Sequence, residues 1–354
     1  MLSEASKEII SQISPDKSSK APLVSQFLKV FKKNYKTLQE LPLNERSERL
    51  TKPLKILDDG ISCPEIVRES KHAKYEMVYT TTIFEKELTV RFFTMTKRDC
   101  TDYAKRVVFL MLLLLPFSPA RCTNNLAVNI VFCKTKKMMP SRGDSFGRQH
   151  LNSGYSYRCV PDTSITVYRE EEWFKVLVHE SFHYFGFDEA LDTKQNNDRV
   201  RNMFLVDSEI NLPEAYCETW ARVLNVYLTA FWISPNNFSD CVALFMELEK
   251  YFSWFQMTKM LKSMGLSYAD LKRPNHFKEE TNMFAYIVLT NDWMQRYDEF
   301  MLWCATKNPN LFLSGPDACV HLFRPKKRAF ERPLPVGPSK HLTNNSRMTV
   351  VELV

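Results

Sequence analysis

Residues 170–189 read Glu-Glu-Glu-Trp-Phe-Lys-Val-Leu-Val-His-Glu-Ser-Phe-His-Tyr-Phe-Gly-Phe-Asp-Glu, and at their centre His179, Glu180 and His183 spell His-Glu-x-x-His. On a helix, residues four apart lie one turn above each other on the same face, so both imidazoles can reach one zinc ion. Glu180, next to the first histidine, can reach a water at the metal without occupying the metal itself, and can serve as its general base. The flanks predict that helix. Glu170, Glu171 and Glu172 are expected in its first turn, where the helix dipole favours negative charge, and Gly186 is available as its stop. Phe174, Val178, Phe182 and Phe185 recur at helical spacing and define an apolar side facing a core, with the histidines on a cleft.

A catalytic zinc site needs a third protein ligand and an open position. Leu212-Pro-Glu-Ala-Tyr-Cys-Glu-Thr-Trp-Ala221 puts Glu214 and Glu218 on one face of a second helix. Glu218 is the preferred ligand because Ala221, one turn on, permits close approach; Glu214 is the second choice. A rival is Glu189, which falls at the third position of the longer metzincin spacing after His183 and Gly186, where His or Asp is the usual residue. Ser263-Met-Gly-Leu-Ser-Tyr268 is only loosely like the Met-turn that this rival requires.

His179-Glu180-x-x-His183 followed by a helix bearing Glu218-x-x-Ala221 resembles the gluzincin class of zinc metallopeptidases. The stretch from Ile165 to Gly186, with Tyr216–Ala221 and Lys278–Tyr286, is also similar to uncharacterised proteins of nucleocytoplasmic large DNA viruses. The resemblance covers roughly residues 100 to 300. It implies a viral metallopeptidase-like protein in which His179, His183 and Glu218 bind Zn2+, Glu180 is the base, and Tyr286 or His276 stabilises the oxyanion.

The order of elements agrees with that class. Residues 75–84 and 88–94 alternate as a hairpin turning near Glu85 and Lys86, residues 99–115 read as a helix, and 126–133 and 164–168 as strands separated by a loop at 141–154. The expected fold is α+β and zincin-like: a small twisted sheet with a backing helix and the zinc helix, then a mainly helical C-terminal subdomain. Its edge strand, with Asn152, Ser153 and Gly154, would line the cleft and pair with a substrate backbone. Helices are expected at 24–35, 213–231, 239–264, 268–272 and 278–304. The predicted organisation is a flexible arm (1–22), a helix and loop region (23–72), the sheet and zinc-helix subdomain (73–190), the helical subdomain (191–320) and a basic disordered tail (321–354).

The chain has 354 residues, 44% hydrophobic and 25% charged, with net charge +7, which describes a globular protein with a sizeable core. Much of the charge lies after residue 320, where seven Lys and Arg stand against two Glu. This tail is a candidate contact for nucleic acid or an acidic partner. The longest apolar run, Val107–Leu115, is too short to span a bilayer. Nine cysteines with no Cys-x-x-Cys pair give no sign of a disulfide framework, and the N-terminus lacks the apolar stretch of a secretory signal, so an intracellular protein, in host cytoplasm or virion, is expected. The predicted activity is hydrolysis of a peptide bond. The alternatives are a scaffold or virion protein with a structural zinc and a partner-binding tail, and a hydrolase of non-peptide amides.

Overall fold

The computed structural model describes residues 1–13, 23–57, 60, 62–141, 143–308, 311–312, 332, 335 and 338–353. In chain order the elements are α1 (Glu4–Ile10), α2 (Val24–Glu40), β1 (Asn44–Arg49), α3 (Pro64–Ser70), β2 (Tyr75–Ile83), β3 (Lys86–Thr94), α4 (Thr101–Leu114), β4 (Leu126–Val131), α5 (Arg148–Leu151), β5 (Gly154–Tyr155), β6 (Ser164–Val167), α6 (Trp173–Tyr184), α7 (Lys194–Arg201), α8 (Leu212–Ile233), α9 (Phe238–Ser263), α10 (Thr290–Gln295), α11 (Tyr297–Lys307) and α12 (Lys340–Asn344). The protein is α+β, with one six-stranded mixed sheet and twelve α-helices among the described residues. Two compact units are formed. One holds residues 26–136 and 152–187; the other holds 1–25, 137–151 and 188–354. Both are discontinuous in sequence, so the linear division expected from the sequence misses the excursion of 137–151 into the second unit.

The first unit contains the whole sheet, in the order β1-β2-β3-β4-β6-β5. β1, β2 and β3 are antiparallel, β4 and β6 run parallel to β3, and β5 closes the far edge antiparallel to β6. The β2–β3 hairpin turns at Phe84 and Glu85, both with positive φ (45° and 63°), the backbone a two-residue hairpin turn needs for its twist to match the strands. β1 is exposed along its whole length and carries no apolar alternation; its strand character comes from pairing with β2, which is why its sequence does not announce it. One side of the sheet packs on α4, every residue of which from Val107 to Leu114 is buried, and α2 joins it through Phe31 against Phe109, ring centroids 5.7 Å apart. A second cluster, with Ile66 of α3, Phe93, Val131 and Tyr168, forms a separate core.

In the second unit α8 is buried from Leu212 to Phe231 except at Glu214. It packs against α9 and α10, with Trp220 against Phe300 and Phe312. The single helix expected over 278–304 is three pieces: a π-helical turn at Phe284–Leu289, then α10 and α11. The described ends of the chain correct the expected loose arm and disordered tail. Ser6 and Ile9 of α1 are buried, and Leu2 bridges to Leu353. Residues 345–351 are buried, with Glu249 accepting the N–H groups of Val350 and Val351 at 2.8 Å each. Arg347 of the predicted basic tail is buried and paired with Glu352 at 3.0 Å. Arg324, Lys326, Lys327 and Arg328, which carry most of the tail's charge, lie outside the described residues. No helix among the described residues is long and apolar enough to cross a membrane.

Candidate metal centre

The histidine-bearing helix, α6, starts later than the sequence suggests. Glu172 is its N-cap in the left-handed conformation (φ 59°), and no acidic residue lies in the first turn. This corrects the expected dipole role of the three glutamates. Glu170 instead pairs with Arg98 at 2.7 Å, and Arg98 lies over the rings of Tyr103 and Phe132, 4.8 Å from each. Both rings contact Trp173, the first residue of α6, so an aromatic cluster built from α4 and the segment after β4 fixes where the helix begins.

The other end is fixed as the sequence predicts. Gly186 has φ +70°; its N–H bonds to the carbonyl of His183 and that of Phe187 to the carbonyl of Phe182, the paired bonds of a Schellman stop. The rings of Phe182 and Phe187 pack across it at 5.2 Å. A Cβ at Gly186 would stand 3.2 Å from Cys122 Sγ and 3.3 Å from Cys159 Cβ. Those two cysteines form a disulfide, which corrects the expectation of a disulfide-free chain. Their positions 37 apart, on segments with no shared motif, leave no sign in the sequence. Cys159 N–H also donates to the His183 carbonyl at 3.2 Å, so the disulfide-linked loop is tied to the last turn of α6.

Every residue of α6 is buried. The apolar side is in the core, as expected, but the polar side is covered as well: His179, Glu180 and His183 are only 6–8% exposed. The Nε2 atoms of His179 and His183 are 3.2 Å apart. Two nitrogens bound to one tetrahedral zinc at 2.0–2.1 Å would stand about 3.3 Å apart, so the pair has the spacing the ion requires. The same closeness forbids two N–H groups facing each other: the two nitrogens must share either one proton or one cation. The imidazole pair therefore fits zinc in donor type and in spacing.

Glu180 occupies the position next to this pair. Ser156 Oγ lies 3.0 Å from its Oε2 and 2.9 Å from its backbone carbonyl, so the one hydroxyl proton can steady the carboxylate without neutralising it. The segment before Ser156, singled out in the sequence, is a strand edge rather than a surface turn. Ser153 O accepts Tyr168 N–H at 2.8 Å, Asn152 O accepts Arg169 Nε at 3.1 Å, and Gly154 and Tyr155 form β5. Glycine is required at 154: a Cβ there would lie 2.8 Å from Val176 Cγ1, 2.9 Å from Thr166 O and 3.1 Å from Glu180 Cγ. The edge strand thus approaches α6 at the turn that carries Glu180.

The second unit carries the remaining candidates. Glu218, preferred from the sequence as third ligand, is paired with Arg222 one turn on at 2.9 Å, both side chains 1% exposed, and Arg222 also donates to the Tyr286 carbonyl at 3.2 Å. Arg222 follows Glu218 at i+4, so this competitor for the carboxylate was readable in the sequence. Glu214 sits in the first turn of α8, half-buried, and accepts from the neutral amide of Asn282 at 3.3 Å. Glu189 opens a 3-10 turn, Glu189–Leu191. α9 ends at Ser263, and just beyond it the N–H of Gly265 bonds to Lys262 O and that of Leu266 to Leu261 O. Tyr286 is buried in the π-helical turn. His276 is exposed, with Nε2 2.9 Å from Met264 O. No protein-family model, no curated protein and no solved structure matches the chain.

Proposed function

We propose that the protein is a zinc-dependent hydrolase of peptide bonds, with His179 and His183 as metal ligands and Glu180 as general base. The observation that carries this reading is the buried imidazole pair, 3.2 Å between Nε2 atoms, beside a carboxylate steadied by Ser156. A site that only staples a fold has no need of a base at Glu180.

The third ligand in this reading is Glu214. Drawing Glu218 to a metal would break its buried pair with Arg222, and breaking a buried pair costs about 3–5 kcal/mol. Glu214 accepts a hydrogen bond from the Asn282 amide at 3.3 Å. Two imidazoles with one carboxylate suit a zinc that keeps an open position.

A zinc held by these residues would supply Lewis-acid chemistry to a carbonyl and to water. Glu180 would accept a proton at its carboxylate and pass it to the departing amine, with the Ser156 hydroxyl holding the carboxylate in place. β5, the last strand of the sheet, offers its outer edge to an extended substrate, whose backbone would lie beside the Glu180 turn. The zincin-like architecture expected from the sequence belongs to this proposal. The test is cleavage of a mixed peptide library by the wild-type protein and by Glu180→Gln. Loss of a general base should lower turnover by about 10²–10⁴-fold. Equal activity in the two proteins, or zinc binding without any peptide cleavage, would remove the peptidase reading and leave a structural zinc or a non-peptide amide substrate.

A further inference from the structure

The second unit contains a cavity of about 680 Å3 that the proposed hydrolysis does not use. Its walls come from loop residues 139–141 and 143–146, the end of α9 with Met264, His276, Lys278 and Thr343 of α12. The loop bends sharply at Gly143, which has φ +95°. Lys259, Lys262 and Lys278 line the cavity against the single carboxylate of Asp144, with His276 beside them and Ser145 offering a hydroxyl. Among the described residues none of the three lysines forms an ion pair with a carboxylate. Lys259 is half-buried. Two of its three N–H donors go to the carbonyls of Leu342 and Asn345 at 2.9 and 2.5 Å, and one donor remains. The ammonium also lies over the Phe255 ring, 5.5 Å from its centroid, and it meets no carboxylate among the described residues, so an anion in the cavity would supply its counter-charge.

The kind of anion follows from the kind of cation. Planar carboxylates are matched best by the arginine fork, and these three cations are lysines. Lysines act as point charges, which suit the oxygens of phosphate approached from several directions. The volume is in the range of small-molecule sites and is far larger than one ion needs. Phe146 and Met264 give part of the wall an apolar surface.

We propose that this cavity binds a small molecule carrying two or more phosphate groups, held by Lys259, Lys262 and Lys278. Burial pulls the Lys259 amino group down to about 7, and an adjacent anion would restore its charge. The proposal does not rest on the peptidase reading, since every lining residue lies outside α6.

The experiment is calorimetric titration of the full chain with inorganic tripolyphosphate. Three proteins are compared: wild type, the double variant Lys262→Glu/Lys278→Glu, and a charge-matched control, Lys32→Glu/Lys33→Glu, whose exposed side chains lie on α2. Both cavity lysines are also exposed, so the variant should fold. Saturable one-to-one binding is expected for wild type. The cavity variant should bind about a hundredfold more weakly, about tenfold for each charge-assisted contact, and the control should stay within about twofold. Stripping of metal by the phosphate would affect all three proteins alike. Equal weakening in control and cavity variant would reduce the effect to general attraction by a basic chain, and absence of wild-type binding would overturn the proposal.

Discussion

Gly154→Ala adds one methyl group at the point where β5 meets α6. The new Cβ would sit 2.8 Å from Val176 Cγ1, 2.9 Å from Thr166 O and 3.1 Å from Glu180 Cγ. Carbon atoms in normal contact lie about 3.5–4.0 Å apart, so relief requires a shift of about 0.5–1 Å. Thr166 O is backbone of β6 and cannot rotate away. Either β5 moves outward, loosening its pairing at Gly154 and Val167, or the Glu180 side chain is pushed aside from Ser156. Overpacking of this size costs about 1–3 kcal/mol, and each kcal/mol lowers Tm by about 2–4 °C in a domain of 150–250 residues. Both imidazoles lie farther from the new atom than Glu180 does in this contact set, so zinc affinity should change little. Displacing the base by up to an ångström should lower turnover by as much as about 10²-fold. The assays are thermal unfolding, zinc content and peptide cleavage on the same preparation. An alanine variant with unchanged Tm and unchanged turnover would refute both the close approach and the role it gives Glu180.

Glu214→Gln should lose zinc and keep most of its stability, whereas Glu218→Gln should retain zinc but unfold about 3–5 kcal/mol more easily because Arg222 is left buried without its partner; metal analysis and denaturant titration distinguish the two. Reduction of Cys122–Cys159, or Cys122→Ser with Cys159→Ser, should cost up to about 4 kcal/mol for a loop of 37 residues, and amide exchange should rise first at the His183 end of α6, to which Cys159 is hydrogen-bonded. Burial raises the Glu279 carboxyl to about 7 from 4.5, so between those pH values the folded state holds a proton that the unfolded chain has lost. Stability should therefore fall as pH rises from 4.5 to 7, by at most about 3 kcal/mol, and Glu279→Gln should flatten that slope in pH-dependent denaturant curves.

The strongly periodic parts of the fold were legible in the sequence. The hairpin, α4, β4, β6, α6, α8 and α9 all appear where alternation or helical spacing placed them, because each buries a face whose period is its own signature. β1 was not legible, since Asn44-Glu-Arg-Ser-Glu-Arg49 buries nothing and is a strand only through β2. The ends of the chain were misread for a related reason: their polar composition suggested solvated arms, while Glu249, Asn225 and Gln256 supply buried partners for the backbone of residues 347–351. In the candidate site, His179, Glu180 and His183 were readable because one helix carries all three. Ser156 and the exclusion of a side chain at Gly154 depend on a strand meeting a helix, which spacing along the chain does not encode. The proposed preference for Glu214 over Glu218 rests on Arg222, a charge four residues from Glu218 whose importance appears only once both side chains are known to be buried.

The central claim is that His179 and His183 share one zinc ion. Elemental analysis of the purified wild-type chain, His183→Ala and Glu180→Gln tests it most directly. One zinc per chain is expected in wild type and in Glu180→Gln, and none in His183→Ala, which leaves a single imidazole where the ion needs two. A wild-type chain that takes up no zinc from excess metal, or a His183→Ala variant that holds it as tightly, would contradict the account.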